Sequence, residues 1–134
     1  MRRVVCLGSV AVVLAACAPE VETGRADFLT FCSSCHGVDA TGGGPAGEAL
    51  STQPPDLTRI AARNGGDFDF ASVMSRIDGY TRDDGGQVMP DFGALLEGET
   101  VLVDTGDGIL TPTPRRLVAM AEYLESIQVT GGGG

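Results

Sequence analysis

The sequence predicts an all-α fold of four to five short helices, with one small β-hairpin ahead of the last helix. Three observations carry that prediction. Apolar residues recur at helical spacing in several short stretches, and glycines follow where helices should stop. Two β-branched runs at residues 101–103 and 109–111 flank a glycine- and aspartate-rich connection, which is a hairpin signal. The chain of 134 residues has 20 glycines, 5% aromatics and no tryptophan. It would make a thin core unaided and should be rich in loop and turn.

The N-terminus reads as an export signal over residues 1–16. Arg2 and Arg3 form a positive start, and the uncharged run that follows is too short to span a bilayer. Its end, Leu14-Ala15-Ala16-Cys17, resembles the lipobox of bacterial lipoproteins. That resemblance implies cleavage before Cys17 and a lipid on its thiol, tethering the protein to the periplasmic side of a bacterial membrane. Ordinary cleavage within Ala16-Cys17-Ala18, an Ala-x-Ala pattern, would instead give a soluble periplasmic protein. Residues 17–23 are expected to be a tether, residues 24–128 the folded domain, and residues 129–134 a flexible tail.

Residues 24–35 predict the first helix. Phe28, Phe31, Cys32 and Cys35 fall at i, i+3, i+4 and i+7 and share one face, and Gly37 is a stop signal. The helix runs into Cys32-Ser33-Ser34-Cys35-His36. A Cys-x-x-Cys-His run is the attachment signature of a c-type haem. Two thiols three positions apart can each add across a vinyl group on one porphyrin edge, and the adjacent imidazole of His36 can then bind the iron. The rival readings are weaker. A structural zinc site needs about four ligands, and with Cys6 and Cys17 in the export segment and a single histidine no second ligand pair exists. A thioredoxin-like pair would need a βαβ context, and no strand pattern precedes Cys32. A disulfide across so short a loop leaves His36 unexplained. A buried porphyrin would also supply the apolar bulk that the composition lacks.

Residues 38–55 predict a glycine-rich loop. Gly42-Gly43-Gly44 is followed by no Gly-Lys-Ser/Thr, so a phosphate loop is disfavoured; a loop passing close over the porphyrin, where side chains do not fit, is expected instead. Residues 56–63 predict a short helix capped by Asp56 and ended by Asn64-Gly65-Gly66. Residues 69–78 predict another, with Phe70, Val73, Met74 and Ile77 as its apolar stripe and Gly79 as its stop. Residues 80–92 read as loop. In the hairpin connection, Asp104 and Asp107 faintly suggest calcium, but the EF-hand spacing fails and Arg115 stands where its twelfth-position Glu belongs, so a plain turn is expected. Thr113 and Pro114 are expected to cap and start the last helix, which runs to about Ile127 with Leu117, Met120, Ala121 and Leu124 buried.

Haem iron has two axial positions, and His36 takes one. No second histidine and no lysine exists, so methionine is the remaining strong candidate; its thioether raises the reduction potential. Met74 and Met120 lie on apolar helix faces, where core packing explains them. Met89 lies in a loop, after two glycines and before Pro90, whose fixed φ stiffens the chain beside it. Met89 is therefore the expected sixth ligand, with Met74 and an open or water-bound iron as the alternatives.

With these motifs in order, the chain resembles the small class I cytochromes c over about residues 24–128. The matching elements are the Cys32–His36 run, Pro55-Asp56-Leu57, Met89-Pro90, and a final helix containing Tyr123-Leu124. The resemblance implies the cytochrome c fold around one covalently bound haem c, with Cys32, Cys35, His36, Met89 and Pro55 as cofactor-binding residues and His36 and Met89 as the metal ligands. It implies that the Pro55 carbonyl accepts a hydrogen bond from the His36 ring, making the imidazole a stronger donor. It implies that Gly24 and Phe28 cross the last helix near Tyr123. Tyr80 and Arg82 are candidates for the propionates. The lysine ring with which mitochondrial members dock is missing, and the 101–111 hairpin is additional.

The 18 acidic residues outnumber nine basic ones, all arginine, and two propionates would add to the excess. The acidic balance argues against nucleic acid as a partner; redox proteins with a basic docking patch are expected. No acid, base or nucleophile constellation suggests an enzyme. The expectation is a monomeric, periplasmic, monohaem electron carrier cycling between Fe(II) and Fe(III). A gas-binding or sensing protein with an open sixth site is the principal alternative, and a subunit whose haem is only structural is another.

Overall fold

A computed structural model of the chain describes residues 19–80 and 88–129. The export segment, Cys17, Arg82 and residues 130–134 lie outside these. Two helices frame the fold: α1 (Pro19–Phe31) and α7 (Arg115–Ser126). Between them come α2 (Ser33–His36), α3 (Pro45–Glu48), a 3-10 turn (Leu57–Arg59) continuing into α4 (Ile60–Arg63), α5 (Phe70–Asp78), α6 (Gly93–Leu96), and the strands β1 (Thr100–Asp104) and β2 (Leu110–Pro114).

The helix α1 begins earlier than expected, so residues 19–23 are helix and not tether. The residue types explain it. Proline suits the first helical position, where its missing N–H costs nothing. Glu20 and Glu22 in the first turn face the positive end of the helix dipole. The carboxylate of Glu20 also pairs with Arg115 at the start of α7.

The contact between α1 and α7 is close because Gly24 has no side chain. A Cβ there would collide with the Ala119 carbonyl and press on Tyr123 Cβ. One turn further on, Phe28 is fully buried and its ring lies 5.4 Å from that of Tyr123. The implied crossing of Gly24 and Phe28 near Tyr123 is thus what the structure has. Phe28, Leu96 and Met120 are the largest fully buried side chains, and they bring α1, α6 and α7 to one core.

The two middle helices form as their local signals dictate. Asp56 Oδ1 accepts from Thr58 N at 2.9 Å, and Asp69 Oδ1 accepts from Ser72 N at 2.9 Å. Gly79 ends α5 with φ of +96°, a left-handed conformation that favours glycine.

Other expectations need correction. The glycine-rich loop contains α3, opened by Pro45. The one-turn helix α6 had no sequence signal long enough to show periodicity. Thr113 does not cap the last helix: it belongs to β2, and its hydroxyl donates to the Thr111 carbonyl at 3.1 Å. The first N–H of α7, on Arg115, donates instead to the Glu99 carbonyl at 2.7 Å. Fraying does not begin at residue 129, because Val129 N donates to Thr58 O at 2.9 Å. The hairpin pairs β1 and β2 antiparallel, with Leu102 opposite Pro112. Its connection is a plain turn, in which Asp104 Oδ1 accepts from the amides of Gly106 and Gly108 at 2.9 and 3.0 Å.

Candidate functional site

Helical hydrogen bonding carries the chain through the cysteine motif almost without interruption. Cys32 N donates to Phe28 O and His36 N donates to Cys32 O, both at 2.9 Å. The first helix is nonetheless broken at Cys32 into α1 and α2, with Ser33 Oγ bonded to Leu29 O at 2.7 Å across the break. Gly37 then turns the chain away at φ +78°.

The glycine loop is shaped by this motif. Gly42 N donates to His36 O at 2.8 Å and Gly44 N to Cys35 O at 3.1 Å. A Cβ on Gly44 or Gly47 would strike the Cys35 carbonyl, and one on Gly42 the Pro54 carbonyl. Gly44 and Gly47 thus admit the backbone of the motif itself, and Gly42 that of Pro54. The loop delivers Pro55, whose carbonyl lies 3.4 Å from His36 Nδ1.

Two cavities adjoin the motif. The larger, about 320 Å³, is lined by apolar side chains including Phe28, Leu57, Ile60, Val73, Ile77 and Leu124. The smaller, about 80 Å³, lies among Phe31, Cys35, Leu50, Pro54, Val88 and Phe92. They share three lining residues: Cys32, His36 and Met89. Of the other methionines, Met120 lines the larger cavity from α7, while Met74 lines neither and is buried in the core. The Met89 loop is held downstream, where Phe92 N donates to Ile77 O at 3.0 Å and the Asp91 side chain packs over Gly79 with no room for a Cβ.

The electrostatics favour a neutral, buried donor set. Burial, with help from the charge of Asp27, pushes the Cys32 thiol up to about 12. A thiol so protonated is a poor candidate for disulfide exchange, and both Cys32 and Cys35 are free. Burial also pushes the His36 pKa down, against the smaller opposing effect of the Pro55 carbonyl. A neutral imidazole that donates through Nδ1 keeps the lone pair of Nε2 for a metal. Among the described residues, no three His, Cys, Asp or Glu side chains gather into a metal-ion site.

These residues fit a covalently held haem. Cys32, His36 and Met89 border both apolar spaces and Cys35 the smaller one, and a neutral imidazole and a thioether are donors that iron takes in haem proteins. The cavity also has a polar margin that the sequence reading missed. Arg63, Asn64, Ser72 and Arg76 line it, and the Arg63 guanidinium donates to Asp56 O at 2.7 Å. Tyr80, named as a propionate partner, lines neither cavity and is 86% exposed. A signal for the arginines existed: Arg63 and Arg76 both fall on the last turns of helices beside the pocket face.

The family model described as Cytochrome c matches residues 21–128. Searches of curated proteins and of solved structures return no match.

Proposed function

The chain belongs to the cytochrome c family, whose members carry covalently attached haem c and transfer electrons, and from that premise we propose a periplasmic monohaem carrier in which His36 and Met89 would bind the iron. Bound haem supplies an iron that takes up and gives back one electron. Cys32 and Cys35 would hold it through thioethers. The Pro55 carbonyl would orient the His36 ring and increase its donor strength. Met89 would offer the iron a thioether sulfur, which raises the potential. Phe28, Ile60, Val73 and Leu124, which line the larger cavity, would exclude water from the haem and tune the potential further. Arg63 and Arg76 are the cations best placed to meet the propionates.

The rest of the reading concerns place and partners. The protein is exported, lipidated on Cys17, and held on the periplasmic side of a bacterial membrane. Among the described residues no helix is long and apolar enough to cross one, so the lipid would be the anchor. It works as a monomer with redox proteins that present a basic patch, since its own surface is strongly acidic.

The observation that carries the proposal is that Cys32, His36 and Met89 border the same two cavities. Carbon monoxide tests it. The reduced holoprotein is expected to resist the gas at neutral pH, because a methionine-ligated iron has no open position. Met89→Ala should bind it and lower the potential, whereas Met74→Ala and Met120→Leu should do neither. Rapid, tight binding by the unmodified protein would favour the gas-binding reading instead.

A further inference from the structure

We propose that the outward face of the β1–β2 hairpin is a docking surface for a protein partner that presents an apolar patch rimmed by lysine or arginine. The register divides the hairpin into two faces. Val101, Val103 and Thr113 turn inward, the two valines against the core. On the opposite face, where a sheet on a protein surface normally carries polar residues, stand Leu102, Leu110 and Pro112, with Ile109 beside them in the turn. Leu102, Ile109 and Leu110 are 63%, 63% and 61% exposed. Apolar side chains gathered at this exposure, with polar residues around them, mark interaction surfaces.

Charge selects the occupant. Asp104 and Asp107 stand at the tip and Glu97 before the base, where the neighbouring Glu99 is already paired with Arg115, and the sequence has no Lys, Arg or His between Arg82 and Arg115. A second copy of the chain would bring the same acidic rim onto itself, since a two-fold interface repeats one patch. A bilayer with anionic headgroups would repel the rim, and the hairpin lacks the cations of membrane-surface elements. A partner with a cationic rim satisfies both parts of the surface.

The hairpin is also preformed, so docking would order little chain. The Asp104 and Asp107 carboxylates hold the turn through the amides of Gly106, Gly108 and Ile109. Arg115 fixes the base, its amide on the Glu99 carbonyl and its guanidinium on the Glu99 carboxylate at 3.0 Å. Neither cavity is lined by a hairpin residue. The inference does not depend on the electron-carrier reading.

The test uses the full-length holoprotein and two labelled synthetic amphipathic peptides that share a leucine face, one flanked by arginines and one by glutamates. Fluorescence anisotropy is expected to show binding of the arginine peptide alone, weakening as salt rises. The variant Leu102→Ser/Leu110→Ser should retain the helical circular dichroism and haem absorption, and should bind at least tenfold more weakly. Asp104→Asn/Asp107→Asn, which keeps the turn's acceptors, should flatten the salt dependence. Absence of binding, equal binding by the serine variant, or equal binding of the glutamate peptide would overturn the proposal. Sedimentation showing a dimer that the serine variant loses would overturn it in favour of self-association. Binding to phosphatidylglycerol vesicles that the serine variant loses would overturn it in favour of a membrane contact.

Discussion

The Gln128 carboxamide ties the segment that follows α7 to Leu57. Its Nε2 donates to the Leu57 carbonyl at 2.8 Å and to Leu124 O at 2.7 Å, and its Oε1 accepts from Ala61 N at 2.9 Å. Leu57 and Ile60, on the segment so held, are walls of the larger cavity. Replacing Gln128 by Ala leaves partly buried backbone groups without partners, at about 1–3 kcal/mol. Urea unfolding of the holoprotein should show that loss without a change in slope. A stability within about 0.5 kcal/mol of the parent, the usual range for a surface change, would show that the carboxamide holds nothing.

Gly24 makes a sharper prediction. Its missing side chain is the space into which the Ala119 carbonyl projects, and backbone cannot rotate aside as a side chain can. Gly24→Ala should therefore cost about 1–3 kcal/mol by overpacking, although alanine is the better helix former. Pairing it with Ala119→Gly should not restore stability, because the obstacle is a carbonyl and not a methyl. A rise in melting temperature for Gly24→Ala would contradict the close crossing.

Asp27 is buried on α1 and takes two bonds from Arg116, one from Nε at 2.9 Å. Arg116 also reaches Leu95 O at 2.9 Å and lies over the Phe31 ring at 5.7 Å. Arg116→Ala would strand the carboxylate among apolar neighbours, an outcome worse than removing both charges. We expect Arg116→Ala to lose about 2–3 kcal/mol and Asp27→Asn in that background to recover part of it. Strict additivity in the double-mutant cycle would mean the two groups do not interact.

What was legible in the sequence was what short-range chemistry decides. Asp69 and Gly79 bracket α5 because a cap and a left-handed stop act within a few residues, and the Cys32–His36 spacing is itself the attachment chemistry. The glycine loop was legible as loop, but its close approach to the motif was not, because nothing local tells Gly44 that the Cys35 carbonyl will lie against it. Likewise Gln128, Arg63 and Arg76 act on groups far away in the chain or on the cavity, and Thr113 carried a good capping signal that β2 overrode. Those outcomes depend on which elements meet, which a pattern along one chain does not specify.

The cap of α5 predicts a pH dependence. Asp69 accepts from both Ser72 N and Ser72 Oγ, and these bonds hold its carboxyl below the usual 3.8. The folded state thus prefers the ionised form. Its contribution is complete above the unfolded carboxyl's pKa, about 3.9, and is lost as pH falls through the depressed folded value. Asn caps nearly as well and does not titrate. Thermal melts of Asp69→Asn and the parent should therefore differ by a constant amount from about pH 5 upward, with the parent losing ground to the variant as pH falls below about 4. Asp69→Ala should cost about 1 kcal/mol at neutral pH. A parent-to-Asn difference that stays level down to pH 2 would show that the Ser72 bonds do not depend on the charge of Asp69.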